Sequence, residues 1–303
     1  MAITTTTAAR VFTSHSKNHA IFAAFIAISS LAFYKALAAL VRYSLSDGSS
    51  SHIILIPFIA FFLLYLERQC VFALTRTSIA PGISLSLAGI AFYWLANSPS
   101  FPQQGNWPLS LDTFSIVLVW AGGFLLCYGF AAFRAAAFPL LFLLLMVPLP
   151  EPILDRVIYA LQAGSTEVSY WIFRALGTPV SRDGFLLTVP GLTIEVAKEC
   201  SSIRSSIALF ITCLLAAHLY LRTPWKKLVL VVLGMLLSVV KNGIRIATLT
   251  LLSIHVDPDF LSGRLHRQGG FVFFLVALAI LAPAFFWMEK SDKRRSSAAN
   301  SAA

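Results

Sequence analysis

The sequence predicts an all-α polytopic membrane protein of about eight transmembrane helices with both termini in the cytoplasm. An extracytoplasmic interfacial helix and a short β-hairpin are expected between spans five and six. Three observations carry this reading. Hydrophobic residues make up 58% of the 303-residue chain and charged residues only 12%, against about 25% charged in soluble domains. The apolar residues fall in long runs, with a mean hydropathy of +0.80. The basic residues lie between those runs rather than on a polar face. The net charge of +10 is therefore a topological signal and not a nucleic-acid footprint. In water such a chain would expose a large apolar surface; lipid as solvent removes that cost.

Crossing the hydrocarbon takes about 20 apolar residues. Runs that meet or approach this cover 20–42, 52–66, 81–97, 113–130, 135–148, 201–221, 228–252 and 270–288. The first lacks a small-residue cleavage site and is expected as a retained span. Lys35 inside it is expected to snorkel, unless the span starts earlier. The long polar interval, 149–200, opens with helical periodicity over 153–176, expected to lie in the interface. It continues as "GFLLTVPGLTIEVA", two short strands about a Pro190–Gly191 turn. The organisation expected is a cytoplasmic tail over 1–19, one transmembrane domain over 20–289, and a basic tail over 290–303.

Lys and Arg set the orientation. With the N-terminus inside, the cytoplasmic segments hold Arg10, Lys17, Arg68, Arg76, Arg134, Arg222, Lys226, Lys227, Lys290, Lys293, Arg294 and Arg295. Their acids are Glu67, Glu289 and Asp292. On the other face acids such as Glu151, Asp155, Asp183 and Asp257 nearly balance the bases. Cys70, Cys127, Cys200 and Cys213 are far apart with no metal-ligand spacing, so neither a disulfide framework nor a metal or other cofactor is expected. Cys127 and Cys213 fall in apolar runs as packing residues.

Counting along the spans brings three unusual polar residues to one layer. Cys200 lies about 21 residues, or ~31 Å of helix, before Leu221. Arg245 lies about 18 residues, ~27 Å, after Lys227, and His266 about 23 residues, up to ~34 Å, before Glu289. In "AKECSSIRSS" the cysteine is expected in the first turn of a helix, whose partial positive charge favours a thiolate. Arg204, one turn on, pushes the same way. An ordinary buried cysteine fits those residues equally well.

Arg245 in "VVKNGIRIA" has Lys241 one turn back and Asn242 at i−3. A charge inside a span usually faces a cavity or a partner, and a permanently protonated guanidinium suits an oxyanion. Snorkelling to the outer headgroups is the plainer alternative. His266 in "GRLHRQGG" can exchange protons near neutrality; only its shared depth lifts it above a surface histidine, and His52 and His255 are rivals on that face. Glu195, Lys198 and Glu199 are expected as solvated charges.

Taken together, these segments resemble the exosortase/archaeosortase family of membrane cysteine transpeptidases, and within it a bacterial exosortase. The resemblance runs from about His52 to the last span. It rests on "FPLLFLLLMVPLP", "LGTPVSRDGFLLTVPG" with "IEVAKECSSIRS", "NGIRI" and "LHRQGG". It implies Cys200 as nucleophile, Arg245 as the essential arginine and His266 as the third catalytic position, with Arg204, Asn242 and His52 as auxiliary candidates. The implied substrates are exported proteins bearing a C-terminal sorting signal: a short Pro-Glu-Pro-like motif, a transmembrane helix and a basic cluster. Cleavage through a thioester would pass the product to an acceptor, a lipid or polysaccharide amine among the candidates, at the outer face of the bacterial inner membrane. No nucleic-acid partner is expected. The chain departs from the family pattern twice. Cys200-Ser201-Ser202 stands where Cys-Ser-Gly is common, and Ser50-Ser51-His52-Ile53 where Tyr-Ser-His-Gly is common. Two other classes stay open on the residues alone, a transporter lined by Lys241 and Arg245 and a membrane acyltransferase using the same thiol on a lipid donor. Transport surviving loss of Cys200 marks the first; a trapped thioester carrying only lipid marks the second.

Overall fold

The computed structural model describes residues 3–46, 48–73, 75–197, 202–261 and 270–301, with side chains from 16 to 294. Among these, six helices are long and apolar enough to cross a membrane, or up to eight if two bent helix pairs each count as one span. The chain divides into two compact units, Met1–Ile153 and Leu154–Ala303.

In the first unit, α1 (Ile3–Ala32) and α2 (Tyr34–Ser46) replace the single first span expected over 20–42. The chain bends by 78° at Phe33. Past the bend only Ala36, Leu40 and Ser44 are buried, a four-residue repeat down one face, while Lys35 and Arg42 are exposed. Lys35 thus falls on the exposed face of an amphipathic helix beyond the bend. Helices α3 (Leu55–Leu66) and α4 (Arg68–Val71) follow. α5 (Ile79–Ala96) and α6 (Trp107–Ala135) then form a close pair. Their contact is made of small residues: a Cβ at Gly89 would lie 2.8 Å from the Ser115 carbonyl oxygen, the kind of approach that drives helix association where lipid removes the hydrophobic force.

α6 is not straight. Gly129 has φ 82° and ψ 177° in its midst, because the 75–78 segment docks on the helix there. Arg76 N donates to Tyr128 O at 3.2 Å, and Phe130 N donates to Ser78 Oγ at 3.1 Å. The expected fifth span is short: α7 (Ala137–Phe142) tightens into a 3-10 turn over Leu143–Met146 and stops at extended Val147. Pro148 and Pro150 forbid its continuation. Asn106 fixes the break, donating to Leu149 O at 2.8 Å and accepting from Glu151 N at 2.9 Å.

The second unit takes up α8 (Glu151–Ala175) from Leu154 onward. α8 is the helix expected over 153–176, and it is inside out. Gln162, Ser165, Thr166, Ser169 and Phe173 are buried, while Val157, Tyr159 and Trp171 are exposed. The strands number three rather than the two expected. β1 (Ser181–Asp183), β2 (Leu186–Val189) and β3 (Leu192–Glu195) form an antiparallel meander. Two-residue loops link them, with Gly184 at φ 58° and Gly191 at φ 82°. Leu187 and Val189 alternate inward and pack with Phe173 of α8, Val196, and Ile246 and Ala247 of the following long helix.

α9 (Ile203–Tyr220), α10 (Pro224–His255) and α11 (Gly270–Ser301) complete the unit. α9 and α10 run antiparallel in step. Cys213 meets Gly234, where a Cβ would strike the sulfur; eleven residues earlier Ser202 meets Arg245, eleven residues after Gly234. Leu209, Cys213, Leu230, Ala277 and Leu281 form the core among the three helices. At the far end of α10 a buried ion pair locks the turn. Lys226 Nζ donates to Asp292 Oδ1 at 2.7 Å, with both side chains at most 3% exposed. Asp292 also accepts from Thr223 Oγ1 at 2.6 Å and from the backbone N of Arg222 at 2.8 Å. A carboxylate with this many donors at a helix N-terminus is well satisfied, so two residues that read as cytoplasmic surface charges are in fact the clasp between α10 and α11.

A buried polar layer as the candidate active site

Membrane interiors punish polar side chains that lack partners, so a cluster of them inside helices calls for a reason. In the second unit four elements supply one. The buried stripe of α8, Gln162, Ser165, Thr166 and Ser169, recurs at i, i+3, i+4 and i+7, one helical face. α10 buries Ser238, Lys241, Asn242 and Arg245. The start of α9 brings Ser202, Ser205 and Ser206. The stretch after β3 reaches α8 directly, Gln162 Nε2 donating to Val196 O at 2.9 Å.

Asn242 and Arg245 organise the layer. Asn242 Nδ2 donates to Ser165 Oγ at 3.0 Å, and Ser202 Oγ donates to Asn242 Oδ1 at 2.6 Å. Arg245 Nη1 donates to the same Ser202 hydroxyl at 2.8 Å, and Arg245 is 7% exposed. One turn back, Lys241 is 3% exposed and bonded to Ser205 Oγ. α8 and α10 come close because Gly243 carries no side chain: its Cβ would stand 2.5 Å from Val168 Cγ1, and its carbonyl accepts from Ser169 Oγ at 3.1 Å.

Ser202 deserves its own explanation. Among the described residues it is the one non-glycine with positive φ, at 52° with ψ 31°. A left-handed residue with a Cβ costs about 1–2 kcal/mol, which the bonds of its hydroxyl to Asn242 and Arg245 offset. The position is also the third of Cys200-Ser201-Ser202, and glycine, with no Cβ, would adopt the same backbone angle without that cost. Ser202→Gly is therefore expected to keep activity within a few-fold, whereas Ser202→Val, β-branched at positive φ, is expected to abolish it. Substrate processing at matched enzyme levels measures both, and equal behaviour of the two variants would refute the backbone requirement.

The residues singled out by the sequence divide as follows. Arg245 and Asn242 are buried together in this layer. Arg204 is exposed on the first turn of α9. His255 is exposed at the end of α10. His52 lies in the first unit, half-buried, its Nδ1 3.2 Å from Ser49 O. Cys200 and His266 lie outside the described residues. Sequence reasoning missed Ser165, Ser169, Gln162 and Ser205. The α8 stripe was readable as a polar face repeating with helical period, but a polar face is ordinarily assigned to water.

A family model described as transmembrane exosortase (Exosortase_EpsH) matches residues 44–283. The match takes in the polar layer and both flanks of the cysteine segment. No curated protein and no solved structure matches the chain.

Proposed function

The chain belongs to the transmembrane exosortase family, and from that premise we propose that it is a membrane cysteine transpeptidase cleaving C-terminal sorting signals of exported proteins. Family membership carries the general part, a membrane enzyme of transpeptidase type. The residues, the signal and the membrane face are our inference.

One observation supports the residue assignment most. The buried Arg245 guanidinium holds Ser202 at 2.8 Å, and Cys200 is two residues before Ser202. Two peptide links span no more than about 7 Å between Cα atoms, and this closeness in the chain is what supports pairing the cysteine with the arginine. In this reading the Cys200 thiolate attacks the scissile carbonyl, its proton having passed to His266. Arg245 meets the oxyanion that develops. Collapse breaks the C–N bond, and the leaving amine takes the proton from His266, leaving a thioester on Cys200. An acceptor nucleophile then attacks the thioester, gives its proton to His266 and releases the thiolate. Asn242 positions Ser202 and the turn; Arg204 and His52 are auxiliary candidates.

The expected substrate carries a short Pro-Glu-Pro-like motif, a transmembrane helix and a basic cluster. The distribution of Lys and Arg favours an inner-membrane enzyme with both termini in the cytoplasm and the site on the outer face. Co-expression of a signal-bearing substrate with wild type and Cys200→Ala tests the reading. Wild type is expected to shorten the substrate and the variant, at equal abundance in the membrane, to leave it intact; near-normal processing by Cys200→Ala would end the proposal.

A further inference from the structure

A cavity lies far from this chemistry in sequence, within the first unit. It holds about 660 Å³ between α1, α3, α4 and α6. Its wall is apolar along Phe22, Ala23, Ile26 and Ala27 of α1, facing Phe61 and Leu64 of α3 and Phe124 of α6. Its polar groups gather at one end. There His19 Nδ1 lies 2.8 Å from Tyr128 Oη, and His19 stands edge-on to Phe72 with ring centroids 4.8 Å apart. Arg68, exposed, rests over the Tyr65 ring at 4.1 Å and donates one of its N–H groups to Tyr65 O at 2.7 Å. Glu67, beside Arg68, is the acid nearest in sequence.

A groove apolar along its length and cationic at one end fits an amphiphile with hydrocarbon chains and an anionic head. A helix with a basic tail would meet the Arg68 cation with like charge, whereas an anionic head would meet it with opposite charge. Basic pockets between membrane helices are known to hold anionic lipid headgroups, and the volume falls within the ~300–1,000 Å³ of small-ligand sites.

We propose that this groove is a binding site for an anionic phospholipid of the adjacent leaflet, its acyl chains along Phe22–Ala27 of α1 and its phosphate at Arg68. The polar end of the groove selects the head, since the guanidinium over Tyr65 keeps donors facing outward, and the His19–Tyr128 pair closes the apolar part beneath it. The site involves none of the residues assigned to the transpeptidase reaction and stands or falls apart from that assignment.

The full-length protein in nanodiscs tests this with two diazirine-tailed probes, phosphatidylglycerol and phosphatidylcholine, mapped by mass spectrometry after photolysis. Phosphatidylglycerol is expected to label Phe22–Ala27 and Phe61–Tyr65, and unlabelled phosphatidylglycerol to compete better than phosphatidylcholine. Arg68→Ala, an exposed residue whose loss leaves the fold intact, is expected to weaken phosphatidylglycerol labelling about fivefold, the weight of one cation at an anionic surface, without changing phosphatidylcholine labelling. Ala23→Phe is expected to fill the groove and suppress labelling by both. Equal labelling by the two lipids with no effect of Arg68→Ala would overturn the proposal, as would labelling absent from the groove. Displacement of the probe by a signal-bearing substrate helix cross-linked to the same residues would overturn it too, assigning the groove to substrate.

Discussion

Arg245→Lys is expected to lower the rate of substrate processing by about 10²–10³-fold, the effect of losing one preorganised oxyanion donor, while the protein stays folded in the membrane. The charge is kept, so what is lost is geometry. The guanidinium holds Ser202 with Nη1, and its N–H groups lie in one rigid plane that matches an oxyanion geometrically. An ammonium is a point donor on a shorter reach and cannot span both. It would also sit one turn from the ammonium of Lys241, itself buried and bonded to Ser205. A single-turnover assay on purified enzyme, with thermal stability measured on the same samples, checks this. A loss below about tenfold at unchanged stability would remove Arg245 from the transition state.

Gly129→Ala is expected to be the most damaging single methyl group in the chain, with destabilisation above about 4 kcal/mol. Two causes combine. The residue has φ 82° and ψ 177°, a region essentially reserved for glycine that costs about 1–3 kcal/mol otherwise. A Cβ there would also overlap the Arg76 carbonyl oxygen, and backbone cannot step aside without undoing the Arg76–Tyr128 and Phe130–Ser78 bonds that hold the loop to α6. Gly184→Ala is the control. It has φ 58° and open space around its Cβ position, so its cost should stay near the ~1 kcal/mol of left-handed strain alone. The monodisperse fraction after detergent extraction, followed by thermal unfolding, separates the two. Similar yields would show that the kink is not required.

Much of the membrane architecture is legible in the sequence because it depends on run length and on charge placement, both local properties. The α5–α6 and α9–α10 helices appear where apolar runs predict them, and the Pro190–Gly191 turn is a two-residue hairpin loop as its chemistry requires. β1 escaped notice although the Gly184–Phe185 loop has the Gly-first form of a hairpin turn, because three residues give too little alternation to read. The break at Phe33 escaped as well. Hydropathy averages over a window, and Lys35 alone marked the point where the chain leaves a straight path.

The site was legible as types and spacing but not as a network. Arg245 and Asn242 stood out because polar side chains within an apolar run are rare. Their partners did not: Ser165 and Ser169 lie on a helix whose polar face, in a soluble protein, would meet water. Here that face is buried and the apolar face is exposed, the reverse arrangement that lipid imposes. The Lys226–Asp292 pair was hidden for a related reason. Each residue sits in a basic, polar stretch, and only tertiary packing reveals that the carboxylate caps α10 from 66 positions away.

The most direct measurement of the central claim is mass spectrometry of the Cys200 peptide from enzyme quenched during turnover with a signal-bearing substrate. An acyl adduct on Cys200 is expected, with the mass of the substrate up to the scissile bond, lost on adding hydroxylamine and absent from Cys200→Ser. An unmodified Cys200 during active processing, or an adduct carrying lipid alone, would contradict it.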